Sequence, residues 1–367
     1  MINGWPLFQR RQTFATIAGF YDSQPTTEST NFEWLFQYGG ESVISGVPHW
    51  AGLHVKVGNE VLDASVPANQ VSDFKSTLDI ANGAMIWSYT WTPSSGSAID
   101  VYYTMFVHKL YVNQAAVQLQ LTAKSDVKAS VIDVLDGDCA SRTDFIDKGY
   151  NDQHPIIWSA VSPDGLPDIS AYIYSTVVGD ESCDISGRTR YTEKSVIGGN
   201  SSSIAQAVPV SLAAGKTSTI TKYIGGASSD AFEDPKATAS EAAQKAAHAG
   251  YDKLYASHSA EWQSIMTPDS VEDFRDPDTG LLPEDQNIVE LAITAVTNPF
   301  HMLKETVGEN AVAAAGHNNQ LQVNSISVGG LGSDSYAGWI FWVRILVVKT
   351  LDLEPMLIFC LLFRMLR

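Results

Sequence analysis

Alternation of apolar and polar positions runs through the first 225 or so residues. Leu53, Val55 and Val57 alternate with His54 and Lys56. Met85, Trp87, Tyr89 and Trp91 share one face, separated by Ile86, Ser88 and Thr90. Ile99, Val101, Tyr103, Met105 and Val107 form another row, and Val117, Leu119, Leu121 and Ala123 alternate with Gln118, Gln120 and Thr122. Ile169, Ala171 and Ile173 follow, and Ile220 to Ile224 closes the series. A period of two is the signature of a strand with one buried face. Turn clusters lie between the rows: Asn82-Gly83, Pro93 to Gly96, Pro163 to Gly165 and Gly198 to Asn200. Strands joined by polar turns, without interleaved helices, predict a large antiparallel sandwich.

The period changes near Pro235. Tyr251, Leu254, Tyr255, His258, Trp262 and Ile265 recur at spacings of three and four, one stripe of a helix. Pro235 suits a first helical turn, the run Ala237 to Ala249 is rich in alanine, and Glu241 and Lys245 stand four apart. Thr267 to Pro283 is acidic and proline-bearing and reads as a connecting loop. A further helix is expected from about Glu284, with Ile288, Leu291, Ala292, Ala295 and Val296 on one face and Pro299 ending or kinking it. Gly308 to Gly316 is rich in small residues. Leu321 to Ser327 suggests a short extended segment before Gly329-Gly330. No internal repeat is visible.

Composition narrows the function classes. The 367 residues are 44% hydrophobic and 17% charged, enough for a sizeable core, and the net charge of −18 argues against a nucleic-acid partner. Three cysteines, Cys139, Cys183 and Cys360, form no framework; Cys139 and Cys183 could pair, which counting cannot decide. No metal-ligand spacing is present. Asp133, Asp136 and Asp138, with Asp144 and Asp147 behind them, fall short of a calcium loop and read as a strand end followed by a polar turn. His49, beside Trp50, reads as a structural histidine. The start of the sequence carries no charged-then-apolar leader pattern, and Met356 to Phe363 is too short to span a bilayer. One glycosylation sequon, Asn200-Ser-Ser202, matters only in a secreted chain.

Five motifs stand in order along the chain: Asn3-Gly-Trp-Pro-Leu-Phe8, Ala18-Gly-Phe-Tyr-Asp22, Gly40-Glu-Ser-Val-Ile44 with Pro48-His-Trp50, Asp133-Val-Leu-Asp-Gly137, and the stretch from Gly330 to Trp342. Together they resemble the fungal acid trehalases of glycoside hydrolase family 65, over residues 3 to 342. The resemblance implies a mainly β chain with α elements: an N-terminal antiparallel β-supersandwich (1–227), a helical linker (228–268) and the start of an (α/α)6 catalytic barrel (269–342), most of which is missing. It implies trehalose or a related disaccharide as substrate, hydrolysed at its α,α-1,1 bond with inversion, no cofactor, and a setting outside the cell, in the cell wall or in the vacuole. Oligomeric state is not implied. The family's Phe-Trp pair is followed by Asp and helps hold the glucosyl unit. On that basis Trp342 is the expected sugar contact, with Phe341, Tyr336 and Asp334 as weaker members of the same pocket wall.

Position 343 is Val rather than Asp, and residues 343–367 fit no family pattern. Val343-Arg344 can be encoded by GTAAGA, a common fungal intron start, so the expectation is a retained intron or another gene-model error, against a divergent C-terminus or a decayed gene. The family's general acid is a Glu further along, so no catalytic residue is named and the chain alone is expected to be inactive. The alternatives are a sandwich that binds carbohydrate without turnover, a non-functional fragment and, within the family, a disaccharide phosphorylase.

Overall fold

The computed structural model describes residues 15–25, 40–63, 65–267, 274–304 and 326–328. The first strands are β1 (Ala15–Tyr21), β2 (Gln24–Pro25), β3 (Gly40–Glu41), β4 (Ile44–Val47), β5 (His49–Val57) and β6 (Glu60–Leu62). Next come β7 (Val71–Asp79), β8 (Ala84–Trp91), β9 (Ile99–Val107), β10 (Gln114–Ala123), β11 (Val127–Asp136) and β12 (Thr143–Tyr150). The series continues through β13 (Ile156–Pro163), β14 (Ala171–Gly179), β15 (Thr189–Tyr191), the one-turn α1 (Lys194–Ile197), β16 (Ile204–Leu212) and β17 (Thr217–Ser228). Helices α2 (Pro235–Ala249), α3 (Tyr251–Ile265) and α4 (Gln286–Lys304) precede β18 (Ile326–Val328).

An eight-stranded sheet runs β12-β13-β14-β17-β10-β9-β8-β7 and a five-stranded sheet runs β15-β16-β11-β5-β6. Every pairing in both is antiparallel. The predicted sandwich is therefore the observed one. One core lies between the sheets: Leu53, Val55, Val131 and Val208 from one side, Trp91, Val101, Leu119, Ile173 and Ile224 from the other. Each such aliphatic side chain taken out of water contributes about 1.5–3 kcal/mol. The Tyr103 hydroxyl crosses the core and donates to the Leu53 carbonyl at 2.7 Å. A smaller sheet, β18-β1-β4, adds Ala15, Ile17 and Val47 to the same core.

The outer face of the eight-stranded sheet carries the helices. Asp234 caps α2, accepting from the Ala237 N–H at 2.9 Å, and Pro235 opens its first turn. Its buried face is Ala239, Ala242, Ala243 and Ala246. These small residues let the helix approach the sheet so closely that a Cβ on Gly225 would sit 2.1 Å from the Ala239 carbonyl oxygen. Gly250, at φ +80°, turns the chain from α2 into α3. The expected stripe of α3 is confirmed in Leu254, His258 and Trp262, which are buried, while Phe106, Ala116 and Tyr223 meet the helices from the sheet. The Glu241–Lys245 pair forms at 3.0 Å.

One expectation for α4 needs correction and another is narrowed. Leu291, placed on its inner face, is 57% exposed, whereas Ala292 and Phe300 are buried. The apolar stripe overestimated the buried arc, because burial here centres on the contact of Phe300 with Trp262, ring centroids 4.7 Å apart. Pro299 does not end the helix, which continues to Lys304. A proline removes one backbone bond and crowds the carbonyl four residues back, a cost that the flanking turns of a long helix can carry.

Candidate functional site

Of the residues expected to touch sugar, Trp342, Phe341, Tyr336 and Asp334 all lie outside the described residues, as does the tail 343–367. The described part of the chain shows what the remaining candidate chemistry is used for.

The aspartates of β11 and of the residues that follow it divide by parity and turn geometry. Asp133 points between the sheets and is fully buried, where the Lys222 ammonium lies 2.7 Å from its Oδ1. The Ser175 hydroxyl donates to both of its oxygens at 2.9 Å, and the Gln206 amide donates to Oδ2 at 2.9 Å. Lys222 also donates to the carbonyls of Val134 at 2.8 Å and Gly52 at 3.1 Å. Burial pushes the Lys222 amine below its usual range, and the Asp133 carboxylate pulls it back up. An amine with three acceptors around it is held as a charged donor, so this network bolts β11 and β16 to β14 and β17. It leaves Asp133 no free face to a substrate. Asp136 accepts from the Asp138 N–H at 3.0 Å and starts a short 3-10 turn at Gly137–Cys139. Asp138 accepts from the Gly199 N–H at 3.0 Å and the Asn200 N–H at 2.7 Å. Asp144 and Asp147 are exposed. Among the described residues, no group of His, Cys, Asp or Glu is arranged to hold a metal ion.

Cys139 and Cys183 are free thiols, so the possible pairing between them is not made. His49 is buried, and burial first, then neighbouring positive charge, lowers its pKa to about 3. A histidine kept neutral in this way fits its structural reading.

The junction of sheet and helices is the second polar cluster, and the sequence shows it only through His258 in the α3 stripe. His258 Nδ1 accepts from the Lys109 N–H at 3.0 Å, and its Nε2 lies 3.1 Å from the Gly83 carbonyl. His108 Nδ1 accepts from the N–H groups of Leu110 and Tyr111, both at 3.0 Å, and its Nε2 lies 2.9 Å from the Ser257 hydroxyl. Burial lowers His108 to about 3, with His258 adding to the effect, and lowers His258 to about 4. Both imidazoles are thus neutral, each using one nitrogen as an acceptor from backbone. The Lys109 ammonium bonds the Leu303 carbonyl of α4 and lies 4.9 Å from the Trp262 ring centre. This cluster fixes α3 and α4 to the sandwich.

Neither of two clefts on the described surface offers a poised acid. One of about 540 Å³ runs between the Leu110–Gln114 segment and α2; in it Asp234 is the helix cap and Glu241 is paired with Lys245. Another of about 400 Å³ crosses the open end of the eight-stranded sheet beside Tyr102 and Asp100. Bonds from Lys124 and then Thr90 hold the Asp100 carboxyl below its usual range. A general acid needs the opposite, a carboxyl pushed upward toward neutrality.

Residues 2–265 match glycosyl hydrolase family 65, N-terminal domain. The chain belongs to glycosyl hydrolase family 65. The family 65 match ends at the last residue of α3, so it takes in the two-sheet sandwich and the two helices docked on it. The chain is 49% identical over 344 residues to acid trehalase of Emericella nidulans, and 45% identical over 344 residues to cell wall acid trehalase of Arthroderma benhamiae. Each alignment takes in 93% of this chain but 32% of the relative, so the chain spans about a third of the length of these curated relatives. Among solved structures, a putative kojibiose phosphorylase from human microbiome superposes with a TM-score of 0.61 at 12% identity, covering 79% of this chain and 35% of that one. That likeness is one of fold.

Proposed function

We propose that this chain is the amino-terminal part of an acid trehalase that acts outside the cell or in the cell wall. Identity of 49% sustained over 93% of the chain with a protein named acid trehalase is the observation that carries the reading. The name of the Arthroderma relative supports the cell-wall setting. The substrate is trehalose, cleaved at its α,α-1,1 bond to two glucose molecules. The sandwich and its docked helices form the platform, and residues 269–342 lead into the catalytic barrel. Inversion requires one carboxylic acid on the glycosidic oxygen and one carboxylate activating water on the opposite face, far enough apart to admit that water. The general acid belongs to the barrel beyond Trp342. Trp342 stacks on a glucosyl ring, with Phe341, Tyr336 and Asp334 in the adjoining wall.

The test compares this 367-residue chain with a protein of the relatives' length. The longer protein releases glucose from trehalose without phosphate, the first product observed by NMR includes the β-anomer, and Trp342→Ala raises KM. The chain by itself releases none. Glucose release by the 367-residue chain, or turnover that depends on phosphate and yields glucose phosphate, defeats the proposal.

A further inference from the structure

We infer that Asn200 is a site of N-linked glycosylation, presented on a hydrogen-bonded turn between α1 and β16. The inference rests on the reading that the protein enters the secretory route. Asn200-Ser-Ser202 satisfies the sequence requirement for this modification, which is an asparagine two residues before a hydroxyl. The geometry adds what the triplet lacks.

The turn is fixed from both sides. Gly198, at φ +89°, reverses the chain after α1, and the Asp138 carboxylate accepts from the backbone N–H groups of Gly199 and Asn200. The Asn200 carbonyl accepts from the Ser203 N–H at 3.0 Å, and the Ser203 hydroxyl in turn accepts from the Gly137 N–H at 2.9 Å. Ser202 is buried, and its carbonyl accepts from the Ser159 hydroxyl at 2.7 Å. Asn200 itself is exposed.

The orientation of its amide is set by chemistry. The Ser202 N–H and the Ser202 hydroxyl both point to the same side-chain atom of Asn200, each at 2.8 Å. A backbone N–H can only donate, so that atom is the oxygen, Oδ1. The nitrogen, Nδ2, makes no hydrogen bond among the described residues. The atom that must carry the sugar is the one that holds none of the turn's hydrogen bonds, and it belongs to an exposed side chain.

The co-reactant is a lipid-pyrophosphate-linked oligosaccharide. Nδ2 bonds to the anomeric carbon of its first sugar, the bond from that carbon to the pyrophosphate oxygen breaks, the lipid pyrophosphate leaves, and one amide proton passes to the transferase. Nothing is oxidised or reduced.

The experiment directs the full 367-residue chain into the secretory lumen of a eukaryotic host with a cleavable leader. The protease-protected and secreted pools are then treated with peptide-N-glycosidase in heavy-oxygen water. The expected result is a gain in mobility on treatment and conversion of Asn200 to Asp carrying heavy oxygen. Asn200→Gln and Ser202→Ala abolish the shift, and Ser202→Thr retains it. Unmodified Asn200 in the lumenal pool, or a shift that survives Asn200→Gln, overturns the inference. The supplied leader makes the result independent of the natural address and of any activity. Inability of the longer protein to cleave trehalose would sink the enzyme reading while leaving this one standing.

Discussion

The two faces of the eight-stranded sheet are packed by different chemistry. The inner face meets the five-stranded sheet through large aliphatic and aromatic residues and one buried charge network, Lys222 with Asp133. The outer face meets α2 through alanines and a glycine, and meets α3 through Phe106, Tyr223 and Leu254 beside two neutral histidines. A buried ion pair is intolerant of losing either partner. A neutral-histidine joint tolerates partial loss of contact but is tied to proton concentration. The sandwich and the attachment of its helices are therefore open to separate perturbation.

The sharpest way to break the inner joint is Lys222→Met. It strands the Asp133 carboxylate in the core, and removing one partner of a buried pair costs about 3–5 kcal/mol. Urea denaturation followed by tryptophan fluorescence reads the loss. Lys222→Met combined with Asp133→Leu recovers most of it; if the double variant is as unstable as the single one, the network matters for more than charge compensation.

Acidification attacks the outer joint next. His108 and His258 titrate near the ordinary 6.5 when unfolded but near 3 and 4 when folded. Between those values the unfolded chain binds more protons, so their contribution is complete above about pH 6.5 and falls as pH drops toward 4 and 3. The slope is at most about 1.4 kcal/mol per pH unit for each imidazole. His49, lowered to about 3, adds a term of the same sign inside the sandwich. His258→Asn keeps an acceptor for the Lys109 N–H, lowers stability at neutral pH and flattens the fall in stability between pH 6 and pH 4. An unchanged slope in that variant would remove His258 from the account.

Gly225→Val tests how close α2 must come. The added carbons would collide with the Ala239 carbonyl and the Ala243 N–H, and overpacking of this kind costs about 1–3 kcal/mol. Faster hydrogen exchange in α2, with β10 still protected, would place the damage on the outer face. The smallest expected effect is Asp234→Ala, which removes the α2 cap for about 1 kcal/mol, measurable as a lowered unfolding midpoint.

The same contrast explains what the sequence could reveal. Strands β8, β9 and β10 have one apolar and one polar row, and their alternation is plain. Strand β7 has nearly every residue exposed along an edge, so no face is marked. Lys222 stands on the inward row between Ile220 and Ile224, where a pattern reader expects an aliphatic residue; its partner is 89 positions away, invisible to any local rule. Helix α3 was legible because its stripe is long, and His258 stood within it without showing that it accepts from Lys109. Leu291 misled because amphipathicity marks which side of a helix is apolar, not how much of that side finds a partner. Of the candidate site, the motifs identify the family, and the sugar contacts they imply fall outside the described residues.

The first and last described strands lie side by side: Ala15 pairs with Val328, Thr16 with Ser327 and Ile17 with Ile326. A ribosome delivers β1 long before its neighbour exists. Until residue 328 has emerged, one rim of β1 presents unpaired backbone donors and acceptors to whatever is nearby. Pairings so distant in sequence are slow to close, so this rim is the place where an emerging chain invites a holding chaperone or a stray strand from another nascent copy.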